Sequence, residues 1–436
     1  MNFVLITIDS LRADHVGAYG YDRDTTPNID ELAADSHVFT NAVAHACATR
    51  PSFPSILTST QGMLYGGFDK LSDRQIPVAE PLSEAGYTTG GFHSNPYLSA
   101  SFGYDRGFDT FSDDQADPTH LSKLRRYVSN NLSGPIHDFL SFVYDKTEEH
   151  AGVDVGSYYQ DATSLTDEAI QWAESAPEPW FLWVHYMDPH HPYVPPKEFQ
   201  VFGRTMSRRR GVKLRQRVLD DPSSLSDGER EEIINLYDSE IRYVDHEVGR
   251  LLAELDDVTW LLTADHGEEL FDHGDFGHKN RFYEEHVHVP FVIDGNGSGV
   301  HEQLVGLDDV PVTILSLAGI DPPETYRGHD VFDSDRDAVL GGWSPDAGRD
   351  KSRARIMYRS SDVKYVVDDA TGDRRIHDLT NDPDERTNVI DTHDASTYES
   401  AVRAFREEIE STDENDDSVA ISEGTEERLR KLGYKE

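Results

Sequence analysis

Short apolar runs that alternate with helical periods constrain the fold of this chain more than any other feature. Runs of strand length, rich in β-branched and aromatic residues, occupy residues 4–8, 89–93, 180–185, 259–263 and 289–293. Helical spacing of apolar residues occurs at 27–34, 164–174, 229–255 and 311–318. Strands that alternate with helices usually form a parallel sheet covered on both faces. The pattern therefore predicts an α/β fold, in which a mostly parallel mixed sheet is sandwiched by helices.

The sequence changes character after about residue 330. Asp-, Ser- and Gly-rich loops there separate shorter strand candidates at 354–358 and 364–367. A charged helix from residue 403, an acidic break at 412–417 and a last short helix are predicted after them. We therefore predict a main domain over residues 1–330 and a small α+β C-terminal subdomain over 331–436 with an acidic helical tail.

The charge of the chain narrows its possible partners. Its 436 residues include 82 Asp and Glu against 40 Lys and Arg, so the formal charge is 40 − 82 = −42 with His neutral. Nucleic acid and anionic membrane surfaces would be repelled, which argues against broad binding to either. A carboxylate-rich surface of this size is typical of proteins that work in molar salt. We interpret the chain as a halophilic protein of archaeal type.

Cysteine content and hydropathy bear on the compartment. The single cysteine, Cys47, cannot form an internal disulfide or a Cys-based metal site. The first residues have no basic leader, and no stretch approaches the roughly 20 apolar residues of a membrane helix. These features predict a soluble, cytoplasmic protein without a membrane span.

Polar residues with catalytic potential stand at predicted strand ends and at one helix start. Asp9 ends the first strand, and Asp265-His266 ends the strand at 259–263. Ligands of open α/β sheets bind at the carboxyl ends of the strands, so these side chains are expected at one edge. Thr49 precedes a helix expected to open at residue 51 or 52, and helix N-termini favour anions.

Asp9, Asp265 and His266 would form a mixed oxygen and nitrogen site suited to one Mg, Mn, Ca or Zn ion, with Thr49 as a fourth ligand. A cation beside a hydroxyl lowers the pKa of that hydroxyl and makes it a nucleophile, while it also draws charge from a bound anion. The plainer alternative is a strand-end cap at Asp9 and a turn at Asp265-His266. Three such groups at strand ends together favour the metal site.

Further motifs are spread along nearly the whole chain. They are residues 8–15 (IDSLRADH), 26–30 (TPNID), 85–89 (AGYTT), 188–193 (DPHHPY), 237–245 (YDSEIRYVD), 263–267 (TADHG), 277–285 (GHKNRFYEE) and 378–388 (DLTNDPDERTN). Together they resemble the motifs of a sulfatase-type member of the alkaline phosphatase superfamily. The resemblance implies a metal held by Asp9, Asp265 and His266 around the nucleophile, with His190 and Lys279 contacting the anionic substrate or its leaving oxygen.

The same resemblance makes Arg50 and His278 candidate substrate-binding residues. His278 could instead be a further metal ligand or a packing residue, and His190 and Lys279 could be a turn residue and a solvated cation. Two-metal members of the superfamily add a different His-containing motif, so one divalent ion is expected. The implied substrate is an anionic ester of a small molecule, a glycan or a lipid headgroup, and the sequence leaves the oligomeric state open.

The chain departs from the family pattern at the nucleophile. Sulfatases carry Cys-x-Pro-x-Arg, or the Ser version, whose first residue is oxidised to formylglycine, followed by a helix with Ser-Leu-Leu-Thr. Aligning residues 55–58 (SILT) with that helix places Thr49 at the nucleophile and Phe53 where Arg is expected, with Cys47 out of register. Thr cannot become formylglycine. The prediction is a hydrolase that uses Thr49, with phosphoryl-type transfer favoured over sulfate ester cleavage.

Three alternatives remain open at this point. One is a true sulfuric ester hydrolase without formylglycine, and another is a transferase of the phosphoglycerol or phosphoethanolamine type. The third is an anion-binding pseudoenzyme.

A cluster of cations lies in one segment of the otherwise acidic chain; its members are Arg204, Arg208, Arg209, Arg210, Lys213, Arg215 and Arg217. It either attracts a polyanionic substrate to a rim of the site or pairs with neighbouring carboxylates on an exposed surface.

Overall fold

The computed structural model describes residues 1–113, 159–295, 297–333 and 335–412. Its strands are β1 (Asn2–Ile8), β2 (His37–Val43), β3 (Thr88–His93), β4 (Thr110–Ser112), β5 (Trp180–Tyr186), β6 (Val258–Ala264), β7 (Glu269–Leu270), β8 (Phe276–Gly277), β9 (His288–Val289), β10 (Phe291–Ile293), β11 (Gly299–Gly306), β12 (Val339–Trp343), β13 (Arg355–Arg359), β14 (Val363–Asp368) and β15 (Asp373–Asp378). Its α-helices are α1 (Pro27–Ala34), α2 (Thr49–Thr58), α3 (Ala79–Glu84), α4 (Ala162–Ser175), α5 (Arg208–Asp220), α6 (Asp227–Glu254), α7 (Glu284–Val287), α8 (Asp309–Ala318) and α9 (Ser396–Ser411). The acidic break and the last helix predicted beyond residue 412 lie outside the described residues. Within the described ranges, no helix combines the length and apolarity needed to span a bilayer.

Within the described residues, nine strands form the large sheet, in the order β11-β2-β10-β6-β1-β5-β3-β4, with β9 paired to β2. Strand β1 pairs in parallel with β5 and β6, β3 pairs in parallel with β4 and β5, and β2 pairs in parallel with β11. Strand β10 runs antiparallel between β2 and β6. This is the mostly parallel mixed sheet that the sequence predicts, so the fold class is confirmed.

The central strands are buried on both faces. Every residue of β1 and of β5 is buried, as expected for strands with helices on either side. Helix α6 packs against α1 and against α4, while α2 packs against α8. Their coverage explains why the central strands appear in the sequence as near-continuous apolar runs rather than alternating ones.

Some elements differ from the sequence prediction for identifiable reasons. The run at 289–293 is divided by Pro290, which has no N–H to donate, into β9 and β10. Strands β2 and β11 were not predicted, because half-buried polar residues interrupt their apolar pattern. Helix α2 begins at Thr49 rather than at residue 51 or 52, and α9 begins at Ser396 rather than at 403.

A second, four-stranded antiparallel sheet lies in the C-terminal part, in the order β12-β13-β14-β15. Its core includes Ile356, Tyr365 and Phe405, together with Met63 and Tyr65 from the segment after α2. The C-terminal sheet is therefore packed onto the main part of the chain through shared apolar contacts. The boundary at residue 330 stays a prediction.

Candidate active site

The carboxyl ends of β1 and β6 bring Asp9, Asp265 and His266 together. In the parallel register Ile8 stands beside Ala264, so the next residues of both strands emerge at the same edge. Each of the three side chains offers one ligand atom, and these atoms lie within 4.8 Å of one another. All three residues are fully buried. The sequence-predicted group is thus assembled by the register of two adjacent strands.

Thr49 is the first residue of α2, and its hydroxyl reaches this group. Oγ1 lies 3.2 Å from Asp9 Oδ2, to which it donates, and 3.4 Å from His266 Nε2. Unpaired N–H groups and the helix dipole make such an N-terminus favourable for an anion. The hydroxyl therefore lies where an anionic ester would meet both the helix end and the carboxylate pair.

The donor set fits a divalent cation. Burial alone would raise the pKa of Asp9, but the neighbouring histidines, His190 first, hold it well below its usual range. Burial and the charge of Asp9 raise the pKa of Asp265 well above its usual range. Asp265 Oδ2 has no hydrogen-bond partner among the described residues. Two buried carboxylates this close can both be ionised only if a cation compensates them.

The tautomer of His266 suits the same role. His266 Nδ1 lies 2.8 Å from the carbonyl oxygen of Gly267, which can only accept, so Nδ1 carries the proton. The Nε2 lone pair is then left facing Thr49 and Asp9. A backbone carbonyl that fixes one ring nitrogen is the usual support for a metal-binding histidine. Burial, with the neighbouring His278, lowers the pKa of His266 to about 4, so the ring is neutral at pH 7.

Ser10 adds a strained backbone position that the sequence reasoning missed. Its φ of 59° lies in the left-handed region, which is unfavourable for a serine. Tyr237 of α6 donates to the carbonyl oxygen of Ser10 at 2.6 Å, and the Ser10 N–H donates to Asp265 Oδ1 at 3.2 Å. These bonds hold the turn after β1 so that Asp9 and Asp265 stay adjacent.

Three histidines lie beside the carboxylate pair. The ring of His278 is 4.8 Å from that of His266 and 5.2 Å from that of His190, and His191 is 4.4 Å from His190. Burial lowers the pKa of His190 to about 3, so this ring is neutral at pH 7. Burial opposes protonation of His278 as well, but the Glu268 carboxylate raises its pKa above the usual value.

The three histidines could offer nitrogen ligands to a second cation, because His190, His191 and His278 also present ligand atoms within 4.8 Å of one another. Arg215 of α5 argues against that use. Its guanidinium nitrogens lie 3.2 and 3.3 Å from His191 Nδ1, which must accept because arginine only donates. The protonated nitrogen of His191 is then Nε2, and a neighbouring guanidinium opposes a further cation. Hydrogen bonding to an anion suits this group better.

Lys279 and Arg50, which were also predicted to contact the substrate, make their contacts outside this group. Lys279 Nζ pairs with Asp275 Oδ1 at 2.6 Å, and the Lys279 side chain is 56% exposed, so the ammonium group lies at the surface of the described part of the chain. Arg50 forms an ion pair with Asp69 and lies over the ring of Tyr97, 4.9 Å from its centroid. The structure thus brings Asp9, Thr49, His190, Asp265, His266 and His278 together. Among the described residues, Lys279 contacts Asp275 instead, and Arg50 contacts Asp69 and Tyr97.

Three further polar residues surround the group, and sequence reasoning did not select them. Asn95 Nδ2 lies 3.4 Å and His185 Nε2 lies 3.6 Å from Asp9 Oδ2. Glu268 is fully buried beside His278, 3.6 Å from its Nδ1. His185 and Asn95 lie at or just beyond the ends of β5 and β3, so the strand-end signal that selected Asp9 would also have found them. No strand-end pattern in the sequence would have selected Glu268.

Cys47 lies outside the catalytic group. Its thiol is buried, hydrogen-bonds the backbone of Phe282 and lies in the field of Lys364 and Arg355. Burial raises the pKa of Cys47 to about 12, so the thiol is neutral at pH 7. A reactive cysteine needs the opposite shift.

Helix α5 carries the cation cluster from Arg208 onward. Arg210 pairs with Glu232 and Arg217 pairs with Glu229, both across to α6. A surface cleft of about 340 Å³ lies against this helix; it is lined by Ser207, Arg209, Arg210, Lys213, Leu214, Arg217 and Glu229. Some cations are thus paired with carboxylates, while Arg215 reaches the histidine group.

Comparison with known proteins agrees with this architecture. The family described as Sulfatase matches residues 1–320. An arylsulfatase of Clostridium perfringens is 25% identical over 454 residues, covering 90% of this chain and 91% of that protein. The structure of a phosphonate monoester hydrolase of Agrobacterium radiobacter superposes with a TM-score of 0.69 and 20% identity, covering 95% of this chain and 96% of the other.

A second solved structure, of a protein in complex with its substrate D-glucosamine-2-N,6-O-disulfate, gives a TM-score of 0.70 at 18% identity, with coverage of 97% and 99%. These structural likenesses show the fold, and the family match extends over most of the chain. The protein therefore belongs to the sulfatase family and is a hydrolase.

Proposed function

We propose that this protein is a metal-dependent hydrolase that cleaves phosphate- or phosphonate-type esters with Thr49 as the nucleophile. The observation that carries the proposal is the Thr49 hydroxyl, 3.2 Å from Asp9 Oδ2 and 3.4 Å from His266 Nε2 at the start of α2. The family match supports ester hydrolysis, and one structural neighbour is named as a phosphonate monoester hydrolase.

The identity of the nucleophile favours phosphorus esters over sulfate esters as substrates. A formylglycine hydrate expels sulfate by collapsing to the aldehyde, and Thr49 cannot form that hydrate. A sulfated threonine would instead need attack by water at sulfur, which is a harder step. Phosphorylated side-chain oxygens are hydrolysed readily where charge is compensated at the phosphoryl oxygens. Cys47, buried with a raised pKa, offers no substitute for Thr49.

The residues of the site account for the reaction in two steps. The Thr49 oxygen attacks phosphorus and passes its proton to Asp9 Oδ2, the bond to the leaving alcohol breaks, and the leaving oxygen takes a proton from His278. Water then attacks phosphorus and passes its proton to His278, the bond to the Thr49 oxygen breaks, and the Thr49 oxygen takes back the proton held by Asp9. His190 donates a hydrogen bond to the leaving oxygen or to the anion.

Asp9, Asp265 and His266 would hold one divalent ion, which supplies positive charge that lowers the pKa of the Thr49 hydroxyl and draws charge from the substrate. Lys279 and Arg50 are not assigned a direct contact with the substrate, because Lys279 pairs with Asp275 and Arg50 pairs with Asp69. The carboxylate-rich surface, at a net charge of −42, supports activity in molar salt, where the Debye length is about 3 Å.

Sulfate ester hydrolysis without formylglycine is the second candidate, since the family and the Clostridium perfringens relative are named for it. A parallel assay of aryl sulfate, phosphate monoester, phosphodiester and phosphonate ester, each with Mn, Mg, Ca and Zn in molar salt, separates the two. We expect turnover of one or more phosphorus esters to exceed sulfate turnover at least tenfold, about 1.4 kcal/mol in transition-state free energy. Sulfate turnover above that of the three phosphorus esters would overturn the proposal.

A further inference from the structure

His185 is a buried polar residue that the mechanism above does not use. It lies in β5 beside Thr7 of β1, two residues before Asp9. The imidazole is fully buried and lies against the rings of Phe53 and Trp183. Its Nε2 has no hydrogen bond within the described residues, and its neighbour is Asp9 Oδ2 at 3.6 Å. Burying an imidazole nitrogen without a partner is unfavourable, so a role at Asp9 has to be considered.

The tautomer of His185 follows from the residues behind it. Trp183 Nε1 lies 3.0 Å from Thr7 Oγ1, and because an indole nitrogen only donates, the Thr7 oxygen accepts. The Thr7 hydroxyl can then donate to His185 Nδ1 at 3.0 Å or to the carbonyl oxygen of Val184 at 3.4 Å. The shorter contact assigns Nδ1 as an acceptor, which places the N–H of the ring at Nε2.

Electrostatics at the other end of the ring leads to the same tautomer. A lone pair on Nε2 would face the Asp9 carboxylate and be repelled by it, whereas an N–H there is attracted. The chain Trp183 to Thr7 to His185 to Asp9 therefore has a single direction of donation, from the indole to the carboxylate. Such chains fix the orientation of the last acceptor, as outer partners of metal-binding side chains do.

We propose that His185 is a positioning residue, whose Nε2–H orients the Asp9 carboxylate toward Asp265 and Thr49 for cation binding. This inference rests on the proposed cation site. Three polar side chains converge on Asp9 Oδ2: Thr49 Oγ1 and Asn95 Nδ2 lie at hydrogen-bond distances of 3.2 and 3.4 Å, and His185 Nε2 makes a slightly longer electrostatic contact at 3.6 Å. Thr49 is the reacting group and Asn95 caps a short 3-10 helix beyond the end of β3, so His185 is the one of these three side chains that lies within a strand of the sheet.

Binding of Mn²⁺ measured by titration calorimetry tests this role without reference to turnover. His185→Leu removes the donor, His185→Gln offers a replacement N–H, and Thr7→Val removes only the hydroxyl that fixes the tautomer. Loss of a supporting hydrogen bond typically weakens metal affinity about 10- to 100-fold. We expect that loss for His185→Leu, partial rescue by His185→Gln and a smaller loss for Thr7→Val. His377→Gln, at a buried histidine of the C-terminal sheet, is the matched control and should bind like wild type.

A second measurement reads the tautomer directly. The ¹⁵N shifts of labelled histidine should show His185 protonated at Nε2 in the wild type and a mixture of tautomers in Thr7→Val. Wild-type protonation at Nδ1, or equal Mn²⁺ affinity in His185→Leu and wild type, would overturn the positioning role while the cation site stood. Absence of Mn²⁺ binding to the wild type would overturn the cation site and, with it, this inference.

Discussion

The protein buries charged groups in two regions and treats them in opposite ways. Beneath the C-terminal sheet, Lys364 is fully buried but lies 2.8 Å from Glu284 and 2.9 Å from Glu385. Arg359 adds a second cation to Glu284 at 3.0 Å. At the edge of the large sheet, Asp9 and Asp265 are equally buried but stand next to each other, with histidines rather than cationic side chains around them. Side chains of opposite charge balance one another around Lys364, whereas among the described residues no cationic side chain balances Asp9 and Asp265.

This difference distinguishes a structural network from a binding site. Buried ions are retained in folded proteins when partners of opposite charge compensate them. The Lys364 network meets that condition within the chain, so it can hold the C-terminal sheet to the loop at Glu284. The Asp9 and Asp265 pair does not meet it, and therefore indicates a ligand that brings positive charge. Perturbed carboxylates identify a site only when their compensation is missing.

The largest effect is expected for removal of the Thr49 hydroxyl, at the region whose buried charge is not balanced by side chains. Thr49→Ala should lower kcat by about 10³-fold or more, because removal of a nucleophile leaves only binding and charge stabilisation. Thr49→Ser keeps a hydroxyl and should retain measurable turnover. Steady-state kinetics with the best ester of the parallel assay measures both, and thermal unfolding checks that each variant folds. Thr49→Ala with more than half of the wild-type kcat would remove Thr49 from the mechanism.

Lys364→Met should lower the free energy of unfolding, whereas Asp265→Asn should leave it unchanged or raise it. Removing one partner of a buried ion pair typically costs about 3–5 kcal/mol, so Lys364→Met should lower the free energy of unfolding by that amount. Asp265→Asn in EDTA relieves repulsion with Asp9 and should leave stability unchanged or raise it. Urea unfolding of both variants in EDTA makes the measurement. A loss of several kcal/mol for Asp265→Asn would mean that the two regions do not differ.

Added cation should stabilise only the site that lacks charge balance. At a free Mn²⁺ concentration of 100 times Kd, binding to the folded state alone raises the free energy of unfolding by about 2.7 kcal/mol. Wild type should show this rise, and Asp265→Asn should not. Thermal unfolding with and without Mn²⁺, with Lys364→Met as the comparison, measures it. Equal stabilisation of wild type and Asp265→Asn would place the bound ion elsewhere.

Asp188 predicts a pH dependence of stability in the catalytic region. Burial raises its pKa to about 8, from an ordinary value of 3.8, so between these values the folded state holds a proton that the unfolded state releases. The free energy of unfolding should therefore fall as pH rises from about 4 to about 8, by at most about 1.4 kcal/mol per pH unit from this group. Asp188→Asn should flatten that slope in EDTA. An unchanged slope would show that other groups cause it.

The cations of α5 should give the smallest effect. Arg209→Gln with Lys213→Gln should raise KM for an anionic ester about two- to fivefold at low salt, with kcat unchanged, and the effect should vanish in molar salt. Arg374→Gln on the C-terminal sheet is the matched control, because Arg374 is an exposed cation paired with Glu399. Equal KM in wild type and the α5 variant at low salt would leave the cluster as paired surface charge.

Much of the fold could be predicted because local and tertiary preferences agree in the central strands. β1, β5 and β6 are mostly apolar and largely buried, as expected for strands covered on both faces. β2 and β11 could not be predicted, because their half-buried polar residues mimic loop sequence. The antiparallel course of β10 depends on how the chain turns at Pro290, which is not a property of composition.

The residues of the candidate site also fall into two groups, one that the sequence could predict and one that it could not. Asp9, Asp265 and His266 could be selected because strand ends converge at one sheet edge. The proximity of His190 and His278 came only from the resemblance, and the structure supplies its distances. The surface pairing of Lys279 with Asp275, and of Arg50 with Asp69, is a tertiary contact that spacing cannot foresee. Glu268 and the turn at Ser10 depend on partners far away in the chain.

The central claim is that the Thr49 oxygen takes up the transferred group. The most direct test is peptide mass spectrometry of the protein quenched during turnover of a slow phosphate or phosphonate ester. The account predicts a phosphorus-containing adduct on the peptide that includes residue 49, located at Thr49 by fragmentation and missing in Thr49→Ala. An adduct on another residue, or continued turnover by Thr49→Ala at the wild-type rate, would contradict it.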